Sequence, residues 1–177
     1  MVLSAYGIKL ERLSSNDIEL VRYWRNLDRV RFNMKFQDII TAEMQSNWFS
    51  NLDNVCNYYF IIKENDSKIG VVNLKDIDWN KKEAEAGIFI GDDQYLNTLT
   101  PILATISLME FAFENLKLNS LRAKISSSNV KAILFNESIG YVKNHLQDDN
   151  DFHYYSTDEN LFKSAIKNIR TTLDKLK

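Results

Sequence analysis

The sequence predicts a mixed α/β (α+β) fold, a central sheet flanked by helices and followed by a C-terminal helix. Three observations predict it. Short stretches alternating apolar and polar residues recur along the chain. Stretches with apolar residues at helical spacing separate them. Midway, three extended stretches follow one another with only turn residues between. A length of 177 residues fits one domain with its own core.

Residues 7–13 set Ile8 and Leu10 against Lys9 and Glu11, the alternation of a half-buried strand. Ser14 and Ser15 offer N-caps, and Ile18, Leu20, Val21, Trp24 and Leu27 recur at helical spacing, so residues 16–26 form an amphipathic helix. An irregular stretch carrying Phe32, Met34 and Phe36 follows. Thr41 caps a second helix with Glu43 in its first turn and Met44, Trp48 and Leu52 along one face. Residues 57–63, 68–77 and 83–90 read as an antiparallel meander, with turn residues at 64–68 and 79–82.

Residues 101–116 are apolar on all sides, with Ile102, Ile106, Met109 and Phe113 on one stripe, which marks a buried helix. A strand at 121–125, a short helix at 129–139 and strands at 141–146 and 152–155 complete a domain of residues 1–156. Over residues 157–177, Phe162, Ile166, Ile169, Leu173 and Leu176 are spaced four, three, four, three, a short heptad seam. This amphipathic helix packs either on its own domain or on a second subunit, so monomer and homodimer both stay open.

Twenty-two basic against 24 acidic residues leave a net charge of −2, which supplies no field for nucleic acid or an anionic membrane, and neither is expected as a partner. The first residues lack a charged and apolar leader, and no later stretch approaches the roughly 20 apolar residues of a membrane span, so a cytoplasmic protein is expected. Cys56 is the only cysteine, which excludes an internal disulfide and a cysteine-based zinc cluster; among Val55, Tyr58 and Phe60 it reads as a small core side chain. With two histidines, His145 and His153, no catalytic metal is expected. The P-loop, the dinucleotide fingerprint and the G-x-S-x-G elbow are absent from the sequence.

One segment is more specific. Asn129-Val-Lys-Ala132-Ile-Leu-Phe-Asn136-Glu-Ser-Ile-Gly140-Tyr141, directly after an expected strand, resembles the Asn-x-x-Ala segment and following Gly-aromatic pair of the GNAT superfamily of acetyl-CoA-dependent N-acetyltransferases. The order of elements over about residues 6–156 is similar to that family's. Trp24-Arg25-Asn26, Met34 and the strand Ala84-Glu85-Ala-Gly87-Ile-Phe-Ile90 resemble one branch, which contains ribosomal-protein alanine acetyltransferases and N-acetyltransferases of nucleotide-linked amino sugars.

The resemblance implies a sheet whose fourth and fifth strands splay, so that the backbone of Ile88, Phe89 and Ile90 holds the pantetheine arm of acetyl-CoA as an added strand. It also places Asn129 beside the coenzyme and the pyrophosphate on the amides opening the long helix. Here the chain departs from the family, with Leu96, Leu99 and Pro101 where a Gln/Arg-x-x-Gly-x-Gly/Ala loop is expected. Asn97, Thr98 and Thr100 either lend donors to the phosphates or simply cap the helix.

A second departure puts Asn136 where many members have the tyrosine that protonates the departing thiolate. An amide is no general acid, although it can hydrogen-bond the sulfur or position a water. Tyr141 is then either a core aromatic or a substitute donor. Glu85 is the candidate general base, or else a sheet residue paired with a lysine such as Lys82. Trp24, Arg25, Asn26 and Met34 are expected on the acceptor side, with Arg25 meeting a phosphate; His145 and His153 would assist only if they face the cleft. The expected activity is acetyl-CoA-dependent N-acetylation of a small-molecule primary amine, a nucleotide-linked amino sugar ahead of a protein N-terminus. The missing glycines and tyrosine keep a third reading open, a binding protein that retains the fold without turnover.

Overall fold

The computed structural model describes residues 1–145 and 151–174. One eight-stranded sheet runs β1 (Val2–Ala5), β2 (Ile8–Arg12), β3 (Tyr58–Glu64), β4 (Ser67–Asp78), β5 (Glu83–Ile90), β6 (Ser120–Ser126), β8 (Phe152–Asp158), β7 (Val142–Lys143) in spatial order. All neighbours are antiparallel except β5 and β6, which are parallel and joined by α4 (Thr100–Glu110) and its π-helical continuation Phe111–Asn115. Between β2 and β3 lie α1 (Ile18–Asn26), α2 (Asp28–Arg31) and α3 (Ala42–Ser50). Helix α5 (Val130–Ser138) follows β6, and α6 (Glu159–Asp174) follows β8.

The two faces of the sheet are packed differently. On one, Leu10, Phe60, Val72, Leu74, Ala84 and Leu121 meet Ile106, Leu108 and Met109 of α4, each 1% exposed or less, and Phe162 and Ile166 of α6 extend the same core. On the other, α1 and α3 cover a smaller cluster of Leu13, Val21, Trp24, Ile61 and Val71. Helix α6 lies on its own domain: Phe162 packs against Phe113 with ring centroids 5.8 Å apart, and Glu110 accepts bonds from Tyr6 and Arg170, both at 2.8 Å.

Several elements differ from expectation. Strand β1 was not expected; Tyr6 turns it back at φ 55, a region a bulky residue seldom visits. Strand β8 runs on to Asp158, so the expected boundary after residue 156 falls inside a strand. Of the strand expected at 141–146 only Val142 and Lys143 pair, and Leu146 lies outside the described residues, as do Leu176 and the side chain of Leu173 from the heptad seam. In α3, Thr41 caps as expected by accepting from the Met44 amide at 3.1 Å, but Met44 is exposed and Gln45 buried. Among the described residues no helix is long and apolar enough to cross a membrane.

Candidate active site

Strands β5 and β6 pair only through Glu83, Ala84 and Glu85 with Ser120, Leu121 and Arg122, then diverge. The Gly91 amide donates to Ile69 O at 2.8 Å, so the odd-numbered residues of β5 turn their backbone toward β4. Ala86, Ile88 and Ile90 therefore turn theirs into the gap. Of the three residues expected to hold a coenzyme arm, Ile88 and Ile90 offer backbone groups there, and Phe89 does not. Arg29, unremarked in the sequence, reaches from α2 and donates to the carbonyls of Ile90, at 2.8 Å, and Gly91.

The opening of α4 uses its polar residues internally. Thr100 is 2% exposed and donates to Glu64 at 3.1 Å, while Thr98 accepts from the Thr100 amide at 3.3 Å and donates to Tyr95 O at 2.9 Å. The two threonines thus serve as cap and anchor, leaving Asn97 as the exposed amide of the loop. Asn129 caps α5, its Oδ1 accepting from the Ala132 amide at 3.1 Å. Asn136 donates one N–H to Ala132 O at 2.8 Å and keeps the other.

Strand register builds a polar grid on the face beneath α1 and α3. One row across the sheet is apolar: Ile61, Val71 and Phe89. The next is Tyr59, Asn73 and Gly87, and beyond it Lys75, Glu85 and Arg122. Glu85 pairs with Lys75 at 2.8 Å rather than with Lys82, because the antiparallel register sets it opposite Lys75 just before a bulge at Asp76, φ 52. Glu83, Glu85, Arg122, Lys124 and Tyr154 line an open cleft of about 330 Å³ on this face.

The cover over this grid carries unspent donors. Among the described residues, buried Arg25 Nη1 of α1 and Gln45 Nε2 of α3 have no hydrogen-bond partner. Burial pushes the Arg25 guanidinium down from its ordinary value, and its charge bears on Tyr59. Burial pushes the Tyr59 hydroxyl up to about 12, with the charges of Asp76 and Glu85 adding to the shift and Arg25 opposing it. Trp48 stands edge-on to Tyr59 at 5.1 Å.

The remaining expected acceptor residues have other places. Trp24 is 4% exposed and packs so closely over Gly91 that a Cβ there would lie 2.1 Å from the indole, so its position is one of core packing. Asn26 spends its side chain on Ile40, donating to O at 2.9 Å and accepting from N at 2.8 Å, which pins the stretch after α2. Met34 is half-buried in that stretch. Tyr141 is 3% exposed; burial, and then the charge of Glu85, push its hydroxyl up. His153 pairs with Ile125 and so points to the face away from Glu85, and His145 is exposed beyond β7.

A splayed strand pair, a carboxylate beside the gap and a polar face opposite the α4 core are together suited to holding an extended thioester and presenting an amine to it. Residues 10–159 match the acetyltransferase (GNAT) domain family. The chain is 30% identical over 146 residues to acetyltransferase PseH of Campylobacter jejuni, spanning 80% of this chain and 86% of that protein. Two solved structures share the fold: apo FdhC, described as a nucleotide-linked sugar GNAT (TM-score 0.80, 23% identity, 96% and 97% of the two chains), and RimL, a ribosomal L7/L12 α-N-protein acetyltransferase bound to coenzyme A (TM-score 0.76, 11% identity, 89% and 98%). The chain therefore belongs to the GNAT acetyltransferase family and is an acetyl-transferring enzyme.

Proposed function

We propose that the chain transfers the acetyl group of acetyl-CoA to the primary amine of a nucleotide-linked amino sugar. The observation that carries this reading is the unspent cation over the grid. Arg25 is half-buried, forms no ion pair with another described residue and keeps Nη1, which is shielded from solvent, without a partner. A guanidinium held out of water without a counter-ion costs stability, and a phosphate oxygen offsets that cost through charge-assisted bonds. The carboxylate of the grid, Glu85, is already matched by Lys75. The likeness to FdhC, whose description names a nucleotide-linked sugar, supports the same acceptor class.

In this reading Glu85 takes a proton from the incoming ammonium, directly or through a water, and the freed nitrogen attacks the thioester carbonyl. The Ile88 N–H, facing the gap, stabilises the oxygen on which charge develops. The C–S bond then breaks, and the second proton of the attacking nitrogen passes, directly or through water, to the departing sulfur, so that the products are the amide and the coenzyme thiol. A tyrosine at position 136 is therefore dispensable.

Thiol release from acetyl-CoA, measured against 4-amino sugar nucleotides, free amino sugars and short peptides, tests the reading. Turnover on sugar nucleotides that falls at least tenfold in Glu85→Gln, about 1.4 kcal/mol of barrier, is expected. Turnover on peptides alone would replace the sugar by a protein N-terminus. No turnover on any amine would remove the catalytic assignment of Glu85.

A further inference from the structure

The row between the apolar strip and the Lys75–Glu85 pair has a missing side chain. Gly87 lies opposite Asn73 across β4 and β5, and a Cβ at Gly87 would sit 3.1 Å from Asn73 Oδ1 and 3.5 Å from Nδ2. The Asn73 carboxamide thus already fills the place beside Gly87, nearer than a Cβ there would tolerate. Asn73 is 9% exposed, and its other neighbour in the row is Tyr59, also a polar group held largely out of water. In strands under a helical cover such positions are filled by apolar side chains, as Val71 and Phe89 fill the next row.

We propose that Asn73, its carboxamide lodged against Gly87, reads a hydroxyl on the carbon next to the reactive amine, making Asn73 a specificity residue of the acceptor site. The inference rests on the amino-sugar reading above. A carboxamide presents one donor group and one acceptor group side by side, and a hydroxyl is the substituent that answers both. The geometry fits a vicinal pair. Residues two apart on a strand are about 6.6 Å apart, so the row of Asn73 stands one such step from the row of Glu85. Adjacent substituents on one ring, each hydrogen-bonded at roughly 2.8 Å, span that step. An acceptor lacking the hydroxyl leaves a buried amide unpaired, which is how a polar site rejects an analogue by a large factor.

The test uses the full-length enzyme, the sugar nucleotide with the highest turnover and its analogue deoxygenated beside the amine. Wild type is expected to favour the hydroxylated acceptor at least tenfold in kcat/KM. Asn73→Ala should lose that preference by raising the KM of the hydroxylated acceptor alone, with the KM of acetyl-CoA within twofold of wild type. Gly87→Ala displaces the Asn73 carboxamide without touching the gap-facing backbone, and should raise the acceptor KM in the same way. Unchanged thermal midpoint and coenzyme affinity show that each variant is folded. Equal kcat/KM for both acceptors in wild type, or a preference that persists in a folded Asn73→Ala, overturns the inference while leaving the amino-sugar reading standing. If only peptides or polyamines are turned over, the amino-sugar reading fails and the inference falls with it.

Discussion

The two faces of the sheet differ in how completely they are finished. The face under α4 and α6 is closed by apolar side chains, and its few polar groups have partners: Ser107 and Thr105 donate to helix carbonyls at 2.9 Å. The face under α1 and α3 has a small apolar strip, an ion pair at 2.8 Å, a buried carboxamide lodged against Gly87 and, among the described residues, two donors without partners, Arg25 Nη1 and Gln45 Nε2. Groups of the second kind do not help a chain fold; left unpaired they cost stability. Stability is concentrated on one side of the sheet and chemistry on the other, with the splay of β5 and β6 joining them.

That division can be broken by substitution. The largest effect is expected at Phe60, 0% exposed on the α4 face: Phe60→Ala should lower unfolding free energy by about 3–5 kcal/mol in urea titration. A loss under 1 kcal/mol would mean that this face is not the main core.

Asp17 comes next. Burial pushes its carboxyl up, but the bonds from Lys68 at 2.7 Å and from the hydroxyl and amide of Ser14 outweigh it, so its pKa lies below the ordinary value. A depressed carboxyl contributes stability above its unfolded-state pKa of about 3.9, and the contribution is lost as pH falls through the lower folded value. Asp17→Asn should therefore cost about 2 kcal/mol at pH 7, with the difference from wild type closing in acid. A difference that grows below pH 4 would reverse the sign assigned.

Gly140 sits at φ 97, and a Cβ there would lie 2.7 Å from Leu161 O, where α5 meets α6. Gly140→Ala should cost at least about 1 kcal/mol, with acetyl transfer per folded molecule unchanged. The smallest effect is expected at the exposed pair Lys163–Glu159, 2.6 Å apart. Lys163→Ala should change stability by about 0.5 kcal/mol or less, and less still in high salt.

The α4 face was largely legible in the sequence, because a helix apolar all round and strands such as Phe60–Ile62 announce burial by composition. Strand β1 was not, since its two-residue turn sets Tyr6 at positive φ before Gly7, where the usual first residue is Asn, Asp or Gly. The active face was legible only in outline. Glu85 and Arg25 were named from their neighbours in sequence. The partner of Glu85 was misread, because Lys75 is brought opposite by strand register and not by proximity along the chain. The pairing of Thr100 with Glu64 spans 36 residues, and no local pattern marks it. Asn26 and Trp24 looked like acceptor residues beside Arg25, yet on a helix consecutive residues point in different directions, and only Arg25 keeps an unspent buried donor. Asn73 and Gly87 gave no local signal; their meaning comes from standing opposite each other across two strands.

The most direct test of the division between faces is Arg25→Leu, examined for stability and for acetyl transfer to a sugar nucleotide. Removing a half-buried, unmatched cation is expected to leave unfolding free energy unchanged or raise it by roughly 1 kcal/mol. It should also raise the acceptor KM at least tenfold, with the KM of acetyl-CoA unchanged. A folded Arg25→Leu enzyme with wild-type acceptor KM, or a variant that loses several kcal/mol of stability, would show Arg25 to be part of the scaffold and contradict the account.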